Sequence, residues 1–299
     1  MSAVRSPSTD RVYGVQRVCR SWGLSRSTFY DRKARKASDV PGKRGPRTLL
    51  SDAELVEQIR GQLRDTEEQW GIRGEGHRKV WARLRHAGVR TSKRRVLRFM
   101  CEHGLLARRR SRRPRGPYVH DGTITTVLPD QMWGTDASMT WTRQEGYVWV
   151  FIAVDHCNSE LVGVHASKSG SRFEALEPVK QGLREHFGPL ERDVAAGLQL
   201  RHDHGPQYMS NVFQDEIDFF GVESSPAFVA SPEGNGVAER FFRTLKEKLL
   251  WVETFETVQD LEPALQAFRE IYNEQWLVAR HGYSSPAQVR RELTGSVAA

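Results

Sequence analysis

Apolar residues follow helical spacing in the first third of the chain and strand-like alternation or short apolar runs in much of the rest. Between 11 and 36, Val15, Val18, Cys19 and Trp22 form one apolar helical face. Gly23 interrupts it, and Ser25 stands where an N-cap would open a second helix carrying Phe29 and Tyr30. Helix, glycine turn and basic helix is the outline of a helix-turn-helix, although any two-helix corner shares it. Residues 37–48, with Pro41, Gly42, Gly45 and Pro46, read as a linker. A helix follows in which Ser51 and Glu54 make a capping box and Leu55, Ile59 and Leu63 make the buried stripe. Two more helices fill 76–104. Val80, Trp81 and Leu84 face inward in the first, Val96, Phe99 and Met100 in the second, with Gly88 as turn and Gly104 as stop.

The pattern then changes. QMWGTDASMTW, GYVWVFIAVDH and ELVGVHASK are short apolar or alternating runs separated by turn residues, which predicts a three-strand meander. A helix is expected in SRFEALEPVKQGLREHFG, a fourth strand in LQLRHDHG, a helix around 212–220 and a fifth strand in VESSPAFV. Two helices, roughly 236–251 and 257–273, are expected to close the chain. A meander followed by alternating helices and strands is an α/β layer architecture. Trp133, Trp141, Trp149, Phe151, Phe241 and Phe242 read as core by spacing, with base stacking a minor alternative for Trp141 or Tyr208.

Charge divides the chain at the same place. Residues 1–115 carry 30 Lys+Arg against 11 Asp+Glu, a net of +19, and the remainder carries 15 against 26, a net of −11. A basic half joined to an acidic half suggests a nucleic-acid-binding arm on a separate catalytic body. Lys93, Arg94, Arg95 and Arg98 cluster on one expected helix, where they suit phosphates or a groove; a bundle with a charged outer face is the plainer alternative. Arg108, Arg109 and Arg110 begin a basic tether through Pro117. The expected divisions are 1–48, 49–117 and 118–299. Cys19, Cys101 and Cys157 show no C-x-x-C spacing, which disfavours a zinc knuckle or disulfide framework. No apolar run reaches ~18 residues and no signal-peptide segment opens the sequence, so a cytoplasmic protein without membrane association is expected.

Chemistry gathers in the acidic half. Asp136 lies in an apolar strand, where an acid is costly without a metal or partner. Asp203 lies at a strand end, and Glu239, 35 intervening residues later, near a helix start. Lys246 follows seven residues on, from a similar face. Strand ends and a helix start can converge on one crevice, and all-oxygen ligands suit Mg²⁺ or Mn²⁺. Taken singly, each acid is more often a surface residue or a cap.

WGTDAS, VDHCNSELVG, RHDHGPQYMS, SPEGNGVAERFFRTLKEKLL and YNEQWLVARHGYSSPAQV together resemble the integrase-type catalytic core of bacterial insertion-sequence transposases. The similarity is to the OrfB product of the IS-three family, and SRSTFYDRKAR, WGIRGEGHRKVWARL and RRVLRFMCEHGLLARRR extend it upstream. The resemblance implies an RNase H-like fold: a mixed five-stranded sheet flanked by helices, preceded by a small all-α helix-turn-helix region. It implies Asp136, Asp203 and Glu239 as catalytic metal ligands for two Mg²⁺ or Mn²⁺ ions, and Lys246 on the DNA end. It further implies 3′-end cleavage and strand transfer on terminal inverted repeats and target DNA. A homo-oligomer on DNA, a bacterial nucleoid-associated location and an upstream OrfA-type partner or frameshift fusion complete the expectation. A phage-type integrase, an inactive DNA-binding regulator and a nuclease on RNA–DNA hybrids are the competing readings.

The sequence departs from the family in places. His202 stands where Ser or Thr is common before Asp203, and His204 follows it; packing or phosphate contact is the first expectation for both, and tuning of metal affinity or proton transfer is the alternative. Glu233 and Asn235 replace a pair found nearer the glutamate, and Gly234 and Gly236 suggest a mobile loop. Arg240 follows the glutamate where a small residue is frequent, and Arg240 and Arg243 are expected at phosphates. Asp155, beside His156, reads as a strand-end acid and not a ligand.

Overall fold

A computed structural model of the chain describes residues 3–37, 50–107, 124–227 and 235–297. It divides into two compact units, Met1–Leu49 and Leu50–Ala299. In the first, α1 (Gly14–Ser21) and α2 (Arg26–Ala37) form the expected pair. The Ser25 hydroxyl accepts from the Thr28 N–H at 3.1 Å, as an N-cap does. Cys19 is buried, but Trp22 is 64% exposed. It is the residue after the helix ends, so the helical period that would bury it no longer applies.

The second unit begins with α3 (Asp52–Trp70), α4 (His77–His86) and α5 (Lys93–Glu102). The capping box at Ser51 and Glu54 closes in both directions, at 2.7 and 3.2 Å. Leu55, Val56, Ile59, Val80, Leu84, Val96, Phe99 and Met100 form a small core among the three helices. α4 is fastened to the remainder of this unit by Arg83, which grips buried Glu75 at 2.6 and 2.9 Å and donates to Gln275 O at 3.1 Å. The Lys79 ammonium lies 3.1 Å from the centre of the Trp276 ring, and burial pushes its pKa down to about 7.

Five strands follow the meander and crossover pattern. β1 (Met132–Thr142), β2 (Gly146–Asp155) and β3 (Leu161–Ser167) pair antiparallel, while β4 (Gln199–His202) joins β1 and β5 (Glu223–Pro226) joins β4 in parallel. The order is β3-β2-β1-β4-β5. α6 (Arg172–His186) and α7 (Asn211–Phe219) make the connections to β4 and β5. β2 is apolar on both faces because both are covered. Val148, Val150, Ile152 and Val154 pack in the core with α8 (Gly236–Leu245) and α9 (Val258–Gln275); Phe151 and Ala153 pack in the core with α6 and α7.

Two of the expected elements need correction. The helix expected over 236–251 is α8 followed by a π-helical turn, Lys246–Leu250. A third helix, α10 (Pro286–Val297), follows α9. Pro286 stands at its first turn, where a missing N–H costs nothing, and Ser285 accepts from the Gln288 N–H at 3.2 Å. Arg290 on α10 holds Asp130 through two nitrogens and also pairs with Glu160. Among the aromatic residues read as core, Trp133, Phe151, Phe241 and Phe242 are buried, whereas Trp141 is 55% exposed near the β1–β2 turn. Tyr208 is fully buried, which removes it from base stacking. The expected division near residue 117 and the end of the fifth strand beyond 227 lie outside the described residues.

α6 crosses β3 so closely that a Cβ on Gly163 would sit 1.9 Å from the Pro178 carbonyl oxygen. That atom is backbone, so it cannot turn aside. Gly163→Ala should therefore destabilise the protein by about 2–3 kcal/mol, read as a lower urea midpoint at unchanged slope. An unchanged midpoint would show that α6 can withdraw at no cost.

Candidate active site

Asp136 projects midway along β1, in register with Ile152 of β2. Its Oδ1 accepts from the Ala137 N–H at 2.8 Å. β4 stops pairing with β1 at Gly134, and the next carbonyl, Thr135 O, accepts from the Asn235 amide at 2.9 Å. That bond fixes the start of α8, which carries Glu239 in its first turn. The approach depends on Gly134. A Cβ there would lie 2.6 Å from Asn235 Oδ1 and 2.7 Å from His156 Nε2. Both of these atoms are buried without a hydrogen-bond partner. His156 Nδ1 donates to Ile124 O at 3.0 Å, which assigns its proton to that side, and burial pushes its pKa down to about 4.

A cavity of about 380 Å³ is lined by Asp136, Ser138, Glu239, Arg243, Lys246 and Trp251, among others. Asp203 does not line it. It follows β4 directly, is exposed, and its Oδ1 accepts from the Gly205 N–H at 2.8 Å. Its charge nonetheless reaches Asp136. Burial chiefly pushes the Asp136 pKa up to about 6; the Ala137 N–H and Lys246 oppose this, while Asp203 and Glu239 add to it. Asp203, Glu239 and Lys246 thus each act electrostatically on Asp136.

The donor set is carboxylate oxygen alone, and mutual repulsion around a half-buried acid is what a divalent cation relieves, so the chemistry fits Mg²⁺ or Mn²⁺. Among the described residues, no three of His, Cys, Asp and Glu are gathered into a metal-ready cluster. Asp203 instead faces its own turn. His202 shapes that turn: it is buried, donates from Nδ1 to Asp203 O at 2.7 Å and meets the Ser224 hydroxyl at 2.9 Å. Burial lowers its pKa, so it acts here as a neutral packing residue. His204 is exposed. Asp155 is buried at the end of β2, accepting from the N–H groups of Asp130, Cys157 and Asn158, which is structural work away from the cavity.

Arg240 and Arg243 are both exposed on α8, and Arg243 reaches the cavity. Lys93 lies 4.3 Å from the Trp81 ring centre and Arg94 is exposed. Arg95 is committed elsewhere, donating to Leu50 O and to Asp52 at 2.6 Å, and Arg98 shares Asp52 with it. Arg108, Arg109 and Arg110 lie outside the described residues. Sequence reading missed Trp251. An unbroken α-helix would place 249 and 250, not 251, beneath Lys246.

Comparison with known proteins matches residues 51–113 to an HTH-like domain and residues 221–286 to an integrase core domain. The transposase for insertion sequence element IS629 of Shigella sonnei is 25% identical over 294 residues, 95% of this chain and 94% of that one. Transposase InsD for insertion element IS2A/D/F/H/I/K of Escherichia coli is 26% identical over 94% of this chain and 92% of that one. Among solved structures, the catalytic core domain of BIV integrase covers 57% of this chain and 99% of that one, at 18% identity and a TM-score of 0.41. The mixed sheet flanked by helices, with a helical HTH region before it, is an RNase H-like, integrase-type fold. Within that class the chain is an IS-three-like homologue of the OrfB/InsD transposases.

The raised Asp136 pKa has a signed consequence. A carboxyl whose folded pKa exceeds its unfolded value contributes stability below about pH 4 that is lost as pH rises through 6. In metal-free protein, Asp136→Asn should therefore be more stable than wild type by about 2 kcal/mol at pH 7. The advantage should vanish below pH 4, measured by urea unfolding across pH. A difference independent of pH would place its cause outside this carboxylate.

Proposed function

We propose that this protein is a DNA transposase that cleaves 3′ ends at its element's termini and transfers them to target DNA, with Asp136, Asp203 and Glu239 as the catalytic acids. The observation that carries the reading is the meeting of Asp136, Glu239, Arg243 and Lys246 at one cavity, with the charge of Asp203 acting on Asp136. Homology to insertion-sequence transposases over nearly the whole chain supports it.

The three carboxylates would hold Mg²⁺ or Mn²⁺, two ions in the full arrangement. Such ions, when bound, activate the attacking oxygen and stabilise the leaving one. This chain's own residues do the rest. Lys246 and Arg243 set positive charge beside the acids, where a backbone phosphate is drawn in and oriented. The Asn235 bond to Thr135 O keeps Glu239 in step with Asp136, so that the acids present a preformed geometry. The Asp203 side chain has to leave the Gly205 N–H to join them, which makes the turn after β4 the movable part.

The basic helices and tether of residues 1–115 recognise the terminal repeats in this reading, with Lys93, Arg94 and the arginines at 108–110 on phosphates, and Arg240 on α8 adds a phosphate contact from the catalytic half. Arg95 and Arg98 contribute only if they release Asp52. A homo-oligomer bridging two DNA ends, an upstream OrfA-type partner or fusion, and a cytoplasmic, nucleoid-associated place in a bacterium belong to the same proposal. Among the described residues, no helix is long and apolar enough to cross a membrane.

Asp203→Asn should abolish Mg²⁺-dependent nicking and strand transfer on the DNA flanking the gene, by at least 100-fold on the order of magnitude expected for a lost catalytic group, while DNA binding in EDTA is unchanged. Strand transfer persisting in this variant would remove Asp203 from the site. Replacing Arg108, Arg109 and Arg110 by Ser should reduce the slope of log affinity against log salt by about 3 × 0.9 if each neutralises one phosphate. An unchanged slope would sink the tether assignment.

A further inference from the structure

Trp251 is 70% exposed and lines the same cavity as Asp136, Glu239, Arg243 and Lys246. Single exposed aromatics are ordinary on protein surfaces. This one is set apart by its neighbours, the acids Asp136, Glu239 and Glu247 and the cations Arg243 and Lys246, and by the way the chain delivers it. α8 ends at Leu245 and Lys246–Leu250 wind as a π-turn. The Trp251 N–H donates to Lys246 O at 2.8 Å, five residues back. Leu249 and Leu250, which an α-helix would have brought beneath Lys246, are buried in the core instead. The extra residue in the turn therefore sends two leucines inward and carries the indole round to the cavity. Such π-turns recur at functional sites.

We propose that Trp251 is a stacking platform for an unpaired nucleobase next to the phosphate held by Lys246 and Arg243. This rests on the transposase reading and deepens it by naming a single-stranded segment at the DNA end as part of the substrate. Cations that neutralise a phosphate beside an aromatic face that takes a base are how single strands are gripped without sequence readout. A protein partner fits less well, because five of the side chains lining the cavity beside the ring, Asp136, Glu239, Arg243, Lys246 and Glu247, are ionisable.

The test uses the full chain in EDTA, so that no DNA is cut. Two probes are compared: a short blunt duplex of arbitrary sequence, and the same duplex with a single-stranded tail of a few nucleotides carrying 2-aminopurine. Wild type should bind the tailed duplex more tightly and quench the 2-aminopurine. Trp251→Ala should bind the tail roughly tenfold more weakly and abolish the quenching, with blunt-duplex affinity unchanged. Trp251→Phe should keep most of both, and Trp251→Leu should restore neither. Equal behaviour of Trp251→Ala and wild type on both probes would overturn the proposal, and so would rescue by leucine. A changed sedimentation coefficient with unchanged tail binding would assign the ring to a second copy of the chain and overturn it as well. Wild type binding the blunt duplex without preferring the tail would defeat this inference alone, whereas binding neither probe would defeat the transposase reading with it.

Discussion

A carboxylate midway along a largely buried strand is the constraint on which the rest of the site depends. Asp136 cannot be charged there at ordinary cost: burial and the neighbouring acids push its pKa up to about 6. The strand tolerates it because the backbone around it is tied down on both sides. The Thr135 hydroxyl donates to Ile152 O at 2.9 Å across the β1–β2 pair, and the Thr135 carbonyl takes the Asn235 amide. The glycine at 134 lets Asn235 come that close. Everything that makes the cavity chemically interesting follows from this contact, since it sets where α8 begins and therefore where Glu239, Arg243, Lys246 and Trp251 can point.

The arrangement divides labour between rigid and adjustable parts. Asp136 is on a central strand and Glu239 on a helix whose Phe241, Phe242 and Leu245 are buried in the core. Asp203 is different. It sits one residue past a four-residue strand, exposed, with its carboxylate occupied by a local N–H. Buried His202 holds the backbone carbonyl of Asp203, while the Asp203 carboxylate is held by the Gly205 N–H. In the proposed site this asymmetry would serve cation binding, because three fixed carboxylates at close range would repel one another without the ion.

Much of this was legible in the sequence, for physical reasons that differ by element. The strands β1 to β3 announced themselves because both sheet faces are covered and the runs are correspondingly apolar. The capping residues Ser25 and Ser51 were readable because their chemistry is local. The acids stood out through their settings, strand, strand end and helix start, more than through their identity. What escaped depends on tertiary context. Nothing local in KEKLL marks a π-turn, so Trp251 went unseen. Trp141 shares the alternation of buried residues but lies near the end of the hairpin, beyond the helices. The commitment of Arg95 to Asp52, 43 residues away, is invisible to any reading of a basic cluster on one helix. α10 was missed because Pro286 reads as a breaker unless Ser285 is recognised as its cap.

The central claim is that acids from β1, the end of β4 and α8 share a divalent cation. Anomalous diffraction from crystals of the full chain equilibrated with Mn²⁺ tests it most directly. The account predicts a manganese peak bounded by the Asp136, Asp203 and Glu239 carboxylates, with Asp203 turned away from the Gly205 N–H, and loss of that peak in Asp136→Asn. Manganese bound elsewhere, with Asp203 still facing its own turn at saturating metal, would contradict it.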